Sequence, residues 1–335
     1  MGYFRTVFLA QEISERALAL TTETIMLNQG NYTAWHFRRK LLHELGKDLG
    51  MEIFWLNSIG LQMEKNYQIW HHRRCIFEML VRKLRSGQGE ESKASEGNST
   101  CDQVFAAEFD YLDAIFASDA KNYHGWSHHI WMIERYELHS EPRHMDLIER
   151  MLDNDVQNNS VWSFRYFIVM RQAASKAGKD GHGFSKELFE AELRYVVSKR
   201  LPQNWRNEAS WAYVRGLLAN SKEDSERSLS TNAKRWFIGD FDWLRIQLEK
   251  WEAIGRKEAF DKSMIEEGDG NDEEEAESNA QMRYDGLKGN RFVHSTLADF
   301  AIANKDYDKA VGYLSELKDL DPIRLKFWEW HKLKV

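Results

Sequence analysis

"DAKNYHGWSHHIW", residues 119–131, sets a lysine, a tyrosine, two tryptophans and three histidines within one short run. Such residues serve equally well in a catalytic site, a metal site or the packed seam of a helical repeat. The stretch has relatives along the chain. "NYTAWHFRRKLLHEL" starts at Asn31, "NYQIWHHRRCIFEML" at Asn66 and "NNSVWSFRYFIVMRQ" at Asn158, with a weaker copy, "NEASWAYVRGLLANS", at Asn207. The aligned tryptophans are Trp35, Trp70, Trp126, Trp162 and Trp211, spaced by 35, 56, 36 and 49 residues. Spacings near 35 are those of a helix–turn–helix unit. The longer gaps contain the polar, Gly/Ser-rich "SGQGEESKASEGNST" and the loop-like "SKAGKDGHG". The first reads as a disordered insertion over 86–100.

Each copy follows one logic. An Asn opens a helix as N-cap, accepting orphan backbone N–H bonds. Trp follows four residues on, and Arg three after that in Arg38, Arg73 and Arg165. Apolar residues then recur at helical spacing, and another amphipathic helix precedes each Asn, as in "VFAAEFDYLDAIFASD". A single hairpin of this kind cannot bury its apolar face, whereas stacked neighbours can. The predicted fold is therefore all-α: a crescent-shaped superhelix of helical hairpin repeats, an α-α solenoid resembling tetratricopeptide arrays. It runs over 1–335 as a single repeat domain, with an acidic loop at 266–279. In the C-terminal third, "AKRWFIGDFDWLRIQLEKWEAI" reads as a helix, "NRFVHSTLADFAIANKDYDKAVGYLSELKDL" as a helical pair and "PIRLKFWEWHKL" as a closing helix.

Composition agrees. The chain has 335 residues, 42% hydrophobic and 30% charged, with only 3 prolines but 13 tryptophans and 18 phenylalanines. So few prolines suit long helices better than a turn-rich β fold. Two cysteines give no disulfide framework and point to a reducing cytosol. A net charge of −7 argues against a nucleic-acid binder. No apolar run approaches the ~20 residues of a membrane span. The start "MGYFRT" fits a loose myristoylation pattern at Gly2, with bulky residues following it.

The Asn-Tyr-x-x-Trp-x-x-Arg pattern, with "NYTAWHFRRKLL", "KNYQIWHHRR", "DAKNYHGW", "DVQNNSVW" and "YFRTVFLAQEISERAL", resembles the α subunit of protein prenyltransferases. Within that group it is most similar to the subunit shared by protein farnesyltransferase and type I geranylgeranyltransferase. The resemblance spans residues 3 to about 220. It implies a heterodimer with a catalytic β subunit. The reaction it implies is transfer of a farnesyl or geranylgeranyl group from its diphosphate to the cysteine of a C-terminal CaaX motif on a protein substrate. It further implies zinc held by the β subunit and magnesium with the diphosphate, and no metal ligands on this chain. By the same resemblance Lys121 matches a lysine that contacts the diphosphate, and an ammonium is a compact charge suited to following moving oxygens. Tyr123, two residues on, is the second catalytic candidate, its ring packing and its hydroxyl facing the cleft. Tyr67, His124 and Asn158 are candidates for substrate contact on the same concave rim.

Other readings are set beside this one. His124 and His128, at i and i+4, resemble a zinc pair, but no third ligand has a matching spacing. His129 stands where other copies carry Arg, so an inter-helix bond is lost there. The Trp stripe and Arg38, Arg73 and Arg165 read as solenoid core and as bridges between hairpins. The alternative functions are a peptide-binding scaffold without catalysis, the α subunit of Rab geranylgeranyltransferase, and a self-sufficient metalloenzyme.

Overall fold

The structure, a computed structural model, describes residues 2–86, 94–176, 186–219, 241–256 and 273–335. The described residues are helical, with no strand among them. They fall into two compact units, Met1–Glu141 and Pro142–Val335.

The first unit carries α1 (Gly2–Leu9), α2 (Glu15–Leu27), α3 (Tyr32–Glu44), α4 (Leu49–Gly60), α5 (Tyr67–Ser86), α6 (Ala94–Ser118) and α7 (Tyr123–Tyr136). Helices α2–α3, α4–α5 and α6–α7 are successive hairpins, and α3 packs on α5 and α5 on α7. The second unit begins with the hairpin α8 (Arg143–Asn154) and α9 (Asn159–Lys176). Next come α10 (Lys186–Tyr195), a π-helical turn (Val196–Arg200), a 3₁₀ turn (Leu201–Gln203) and α11 (Glu208–Ala219). It continues through α12 (Asp242–Gly255), α13 (Glu273–Leu287), α14 (Arg291–Ala303), α15 (Tyr307–Leu320) and α16 (Leu325–Lys332).

The repeat is stitched by its Asn and Trp. In every copy the indole N–H donates to the carbonyl six residues earlier: Trp35 to Gln29, Trp70 to Glu64, Trp126 to Ala120, Trp162 to Val156 and Trp211 to Trp205, at 2.7–3.1 Å. All five indoles are buried. Each Asn caps its helix through Oδ1, as Asn31 does for Ala34 N–H and Asn122 for Gly125 N–H. The same side chain also ties one hairpin to the one before it. Asn122 Nδ2 donates to Glu64 O, the carbonyl that already accepts Trp70 (3.3 Å). Asn207 likewise donates to Val156 O (2.6 Å), beside the Trp162 indole. Asn290 extends the series to a sixth copy by donating to Trp205 O (2.7 Å). There His294 takes the tryptophan's place, its Nδ1–H donating to Asn290 O at 3.0 Å.

The Arg residues bridge hairpins, as their spacing suggested. Arg38 grips Glu52 through two 2.7 Å bonds. Arg73 grips Glu108 at 2.6 and 2.7 Å, and Arg165 grips Glu192 at 2.8 and 3.0 Å. A third group from the following repeat closes each clamp: His72 on Glu52 (2.8 Å), His128 on Glu108 (2.6 Å) and the Tyr213 hydroxyl on Glu192 (2.6 Å). Burial alone would raise the Glu108 carboxyl, but the Arg73 charge and the His128 hydrogen bond outweigh it and hold the group at about 2. In the third copy His129 replaces the Arg and is buried, its ring stacked against Phe116 and Trp126.

Two boundaries differ from the sequence expectation. The segment expected to be disordered over 86–100 contributes residues from Ala94 onward to α6, and 87–93 lie outside the described residues. The acidic stretch at 266–279 is not a loop throughout, because α13 starts at Glu273. Residues 266–272, like the loop at 177–183, lie outside the described residues.

Candidate functional site

Tyr67 and Tyr123 are the first residues of α5 and α7. Both are exposed, at 65% and 78%, and Tyr32 at the start of α3 is exposed at 71%. The expectation that these rings pack between hairpins is corrected. Side chains tilt toward the helix N-terminus, so a ring on the first residue of a helix projects past the end of the hairpin instead of packing within it. His124 lies between two of the tyrosines. Its ring is edge-on to Tyr67 (6.3 Å) and to Tyr123 (5.6 Å), joining the ends of two consecutive repeats. Tyr67 also stacks on His71 at 6.3 Å.

Lys121 is exposed and immediately precedes the Asn122 cap. Its backbone N–H donates to Asp119 Oδ1 (3.0 Å), and Asp119 Oδ2 pairs with the Lys65 ammonium at 3.2 Å. The bond from the Lys121 backbone, then Lys65, hold the Asp119 carboxyl below its ordinary range. Lys65 occupies in its repeat the place that Lys121 occupies in the next, before "Asn-Tyr" in both. The repeated "KNY" was the signal that could have singled it out.

Two arginines missed by the sequence reading lie behind the aromatic rim. Arg74 donates from Nη2 to Ser127 Oγ (2.9 Å) and stands over the Trp131 ring at 5.4 Å. Arg39 brings Nη1 to 3.5 Å from His72 Nδ1. Burial lowers both guanidinium pKa values, and burial with the fields of Arg39 and Arg74 lowers that of His71. The "RR" doublets at 38–39 and 73–74 could have shown this. Adjacent helical residues diverge by about 100°, so one arginine of each pair enters the clamp and the other turns toward the rim. Helix N-termini, two ammonium groups and two arginines make this end of the first unit suited to a polyanion with a flat or apolar companion group.

The remaining candidates are placed differently. Asn158, in the second unit, is buried, and its Oδ1 caps α9 at Ser160 N–H (3.0 Å). His128 is buried on Glu108 while His124 stands among the tyrosines, so the i, i+4 pair makes no metal site. Among the described residues a His–carboxylate cluster of metal-binding size is formed by Glu252, His294 and Glu316. The Arg256 guanidinium already bonds both of its carboxylates, at 2.7 and 2.8 Å.

The comparisons with known proteins agree with this geometry. The model of the protein prenyltransferase alpha subunit repeat matches residues 14–45, 51–80, 105–136 and 142–172, which are the hairpins α2–α3 to α8–α9. The chain is similar to the protein farnesyltransferase/geranylgeranyltransferase type-1 subunit alpha of Pisum sativum. The two are 31% identical over 335 residues, all of this chain and 84% of the relative. The corresponding subunit of Arabidopsis thaliana is 29% identical, again over all of this chain and 86% of the relative. Among solved structures, Candida albicans protein geranylgeranyltransferase-I complexed with GGPP matches with a TM-score of 0.68 and 26% identity. That match covers all of this chain and 88% of the other. Repeat, stitching and full-length likeness together place the chain in the protein prenyltransferase α-subunit family.

Proposed function

We propose that this chain is the α subunit of a heterodimeric protein farnesyltransferase or type I geranylgeranyltransferase. With a β subunit it transfers a prenyl group from prenyl diphosphate to a CaaX cysteine in the cytoplasm. The observation that carries the reading is the likeness to the type-1 α subunit over the whole chain, joined to a cationic, aromatic rim at the starts of α5 and α7. Both free cysteines and the absence of any helix long and apolar enough to cross a membrane, among the described residues, suit this assignment.

The chemistry divides between the chains. Zinc held by the β subunit would supply the thiolate by lowering the thiol pKa. Among the described residues, the His–carboxylate cluster of metal-binding size, Glu252, His294 and Glu316, lies in the second unit and not at the rim. The part of this chain is the leaving group: as the carbon–oxygen bond to the diphosphate breaks, negative charge grows on the departing oxygens. A positioned cation in a dry site stabilises that charge, and removing one such donor costs about 3–4 kcal/mol of barrier. Lys121 is assigned this role, with the Tyr123 hydroxyl donating beside it. Lys65, at the same repeat position, is the second candidate ammonium. Tyr67 and His124 would line the path of the peptide, and magnesium would accompany the diphosphate. Asn158 fixes the start of α9 within the second unit.

Co-expression with a prenyltransferase β subunit tests the assignment. The expected result is a stoichiometric complex that prenylates a CaaX peptide, with the isolated chain inactive. Capture of chaperones or diverse clients in place of a β chain would favour a scaffold instead.

A further inference from the structure

The second unit contains a cavity of about 460 Å³ that no part of the proposed reaction uses. The π-helical turn, α12 and α13 border this open cavity, and its lining includes Val197, Trp205, Gln247, Trp251, Met282 and Arg283. The floor is rigid and aromatic. Trp205 and Trp251 are buried and meet edge to face at 4.9 Å. Gly286 lets α13 close on Trp205, since a Cβ there would stand 2.5 Å from the indole. Gly255 lets the end of α12 approach the Leu287 carbonyl just as closely. The wall at Val196–Arg200 is a π-helical turn, a local widening that recurs at binding sites.

Arg283 breaks this apolar lining. Its Nε is sealed from solvent and has no hydrogen-bond partner among the described residues. A guanidinium stays charged at any working pH, so a half-buried one without an acceptor is costly. The most buried arginines of this unit, Arg165 and Arg200, are by contrast bonded to carboxylates. The volume falls in the range of small-molecule sites, which are mostly apolar with a few convergent polar groups.

We propose that this cavity binds a small organic carboxylate: Arg283 holds the carboxylate through its planar fork, and the Trp205–Trp251 floor holds a flat apolar body. The site stands apart from the diphosphate chemistry, so its test is a direct binding measurement. Isothermal titration of the full-length chain with 2-naphthoate is expected to show saturable one-site binding. Arg283→Gln is expected to weaken it at least about tenfold, the loss typical of a charge-assisted hydrogen bond. Met282→Trp, at an exposed position of the mouth, is expected to occlude the site and weaken binding comparably. The uncharged 2-naphthalenemethanol is expected to bind more weakly than the carboxylate, and equally to wild type and Arg283→Gln. Absence of saturable binding to wild type, unchanged affinity in either variant, or equal affinity for the alcohol and the carboxylate would each overturn the proposal. Should Arg283→Gln fail to fold, the Met282→Trp and alcohol arms decide it.

Discussion

Replacing Glu108 by Gln changes one atom type and leaves the shape of the α5–α6–α7 clamp intact. In the wild type, Glu108 accepts two bonds from Arg73 (2.6 and 2.7 Å) and one from His128 (2.6 Å). Arg73 is 2% exposed, so without the carboxylate its charge keeps only Asn57 and the face of Tyr111, 3.4 Å away. Breaking a buried pair from one side typically costs about 3–5 kcal/mol, because the surviving charge stays buried and uncompensated. Glu108→Gln should lower the opening free energy of α5 and α7 by that amount. Hydrogen exchange under native conditions reads it, and suits a chain whose two units need not unfold together. The control removes the whole triad. Arg73→Met with Glu108→Leu and His128→Leu should return to within about 1 kcal/mol of wild type, since apolar groups of similar volume replace buried ion pairs at little cost. A loss under about 1 kcal/mol for Glu108→Gln, or a triple variant as unstable as the single one, would refute the reasoning.

Three other outcomes are expected. Asn207→Asp keeps the cap but removes the 2.6 Å bond to Val156 O, while Asn207→Ala removes both. Thermal melts should rank wild type, Asp, Ala, with Ala costing about 2 kcal/mol. Gly286→Ala places a Cβ against Trp205 and should destabilise the second unit by about 1–3 kcal/mol in a denaturant titration. Acid should weaken the first unit through His72, whose pKa burial lowers to about 4 despite the opposing pull of Glu52. Between about 6.5 and 4 the unfolded chain takes up a proton that the folded chain refuses, so stability falls as pH falls, by up to about 3 kcal/mol. His72→Gln should flatten that slope in urea titrations run across the same window.

The repeat was legible because it is written in side chains with one job each. Trp at a fixed distance after Asn marks an indole that returns to its own loop, and the N-cap reading of Asn was correct. The second bond made by Asn was not legible, since it reaches a carbonyl in another repeat. The clamps were half legible. Each Arg lies at a constant offset from its Trp, but its glutamate lies 14, 35 or 27 residues on, because loop lengths differ between hairpins. The sixth copy escaped notice because His294 replaces the tryptophan. At the candidate site the sequence named Lys121, Tyr123, Tyr67 and His124, and the rings of the last three meet at one rim. Lys65, Arg39 and Arg74 were passed over although the repeated "KNY" and the "RR" doublets mark them, because the face that each side chain takes follows only from the helix phase. Asn158 illustrates the converse: a polar residue at the family position is consumed by capping.

The role assigned to the ammonium groups is open to a single kinetic comparison. In the heterodimer with its β subunit, single-turnover rates for Lys121→Ala and Lys65→Ala would be measured beside the stoichiometry of the complex. Loss of an oxyanion-stabilising donor corresponds to about 10²–10³ in the chemical step. The expected result is a fall of that size for Lys121→Ala with assembly unchanged. A wild-type rate in that variant would remove Lys121 from the chemistry, and a collapse confined to Lys65→Ala would move the catalytic charge to the preceding repeat.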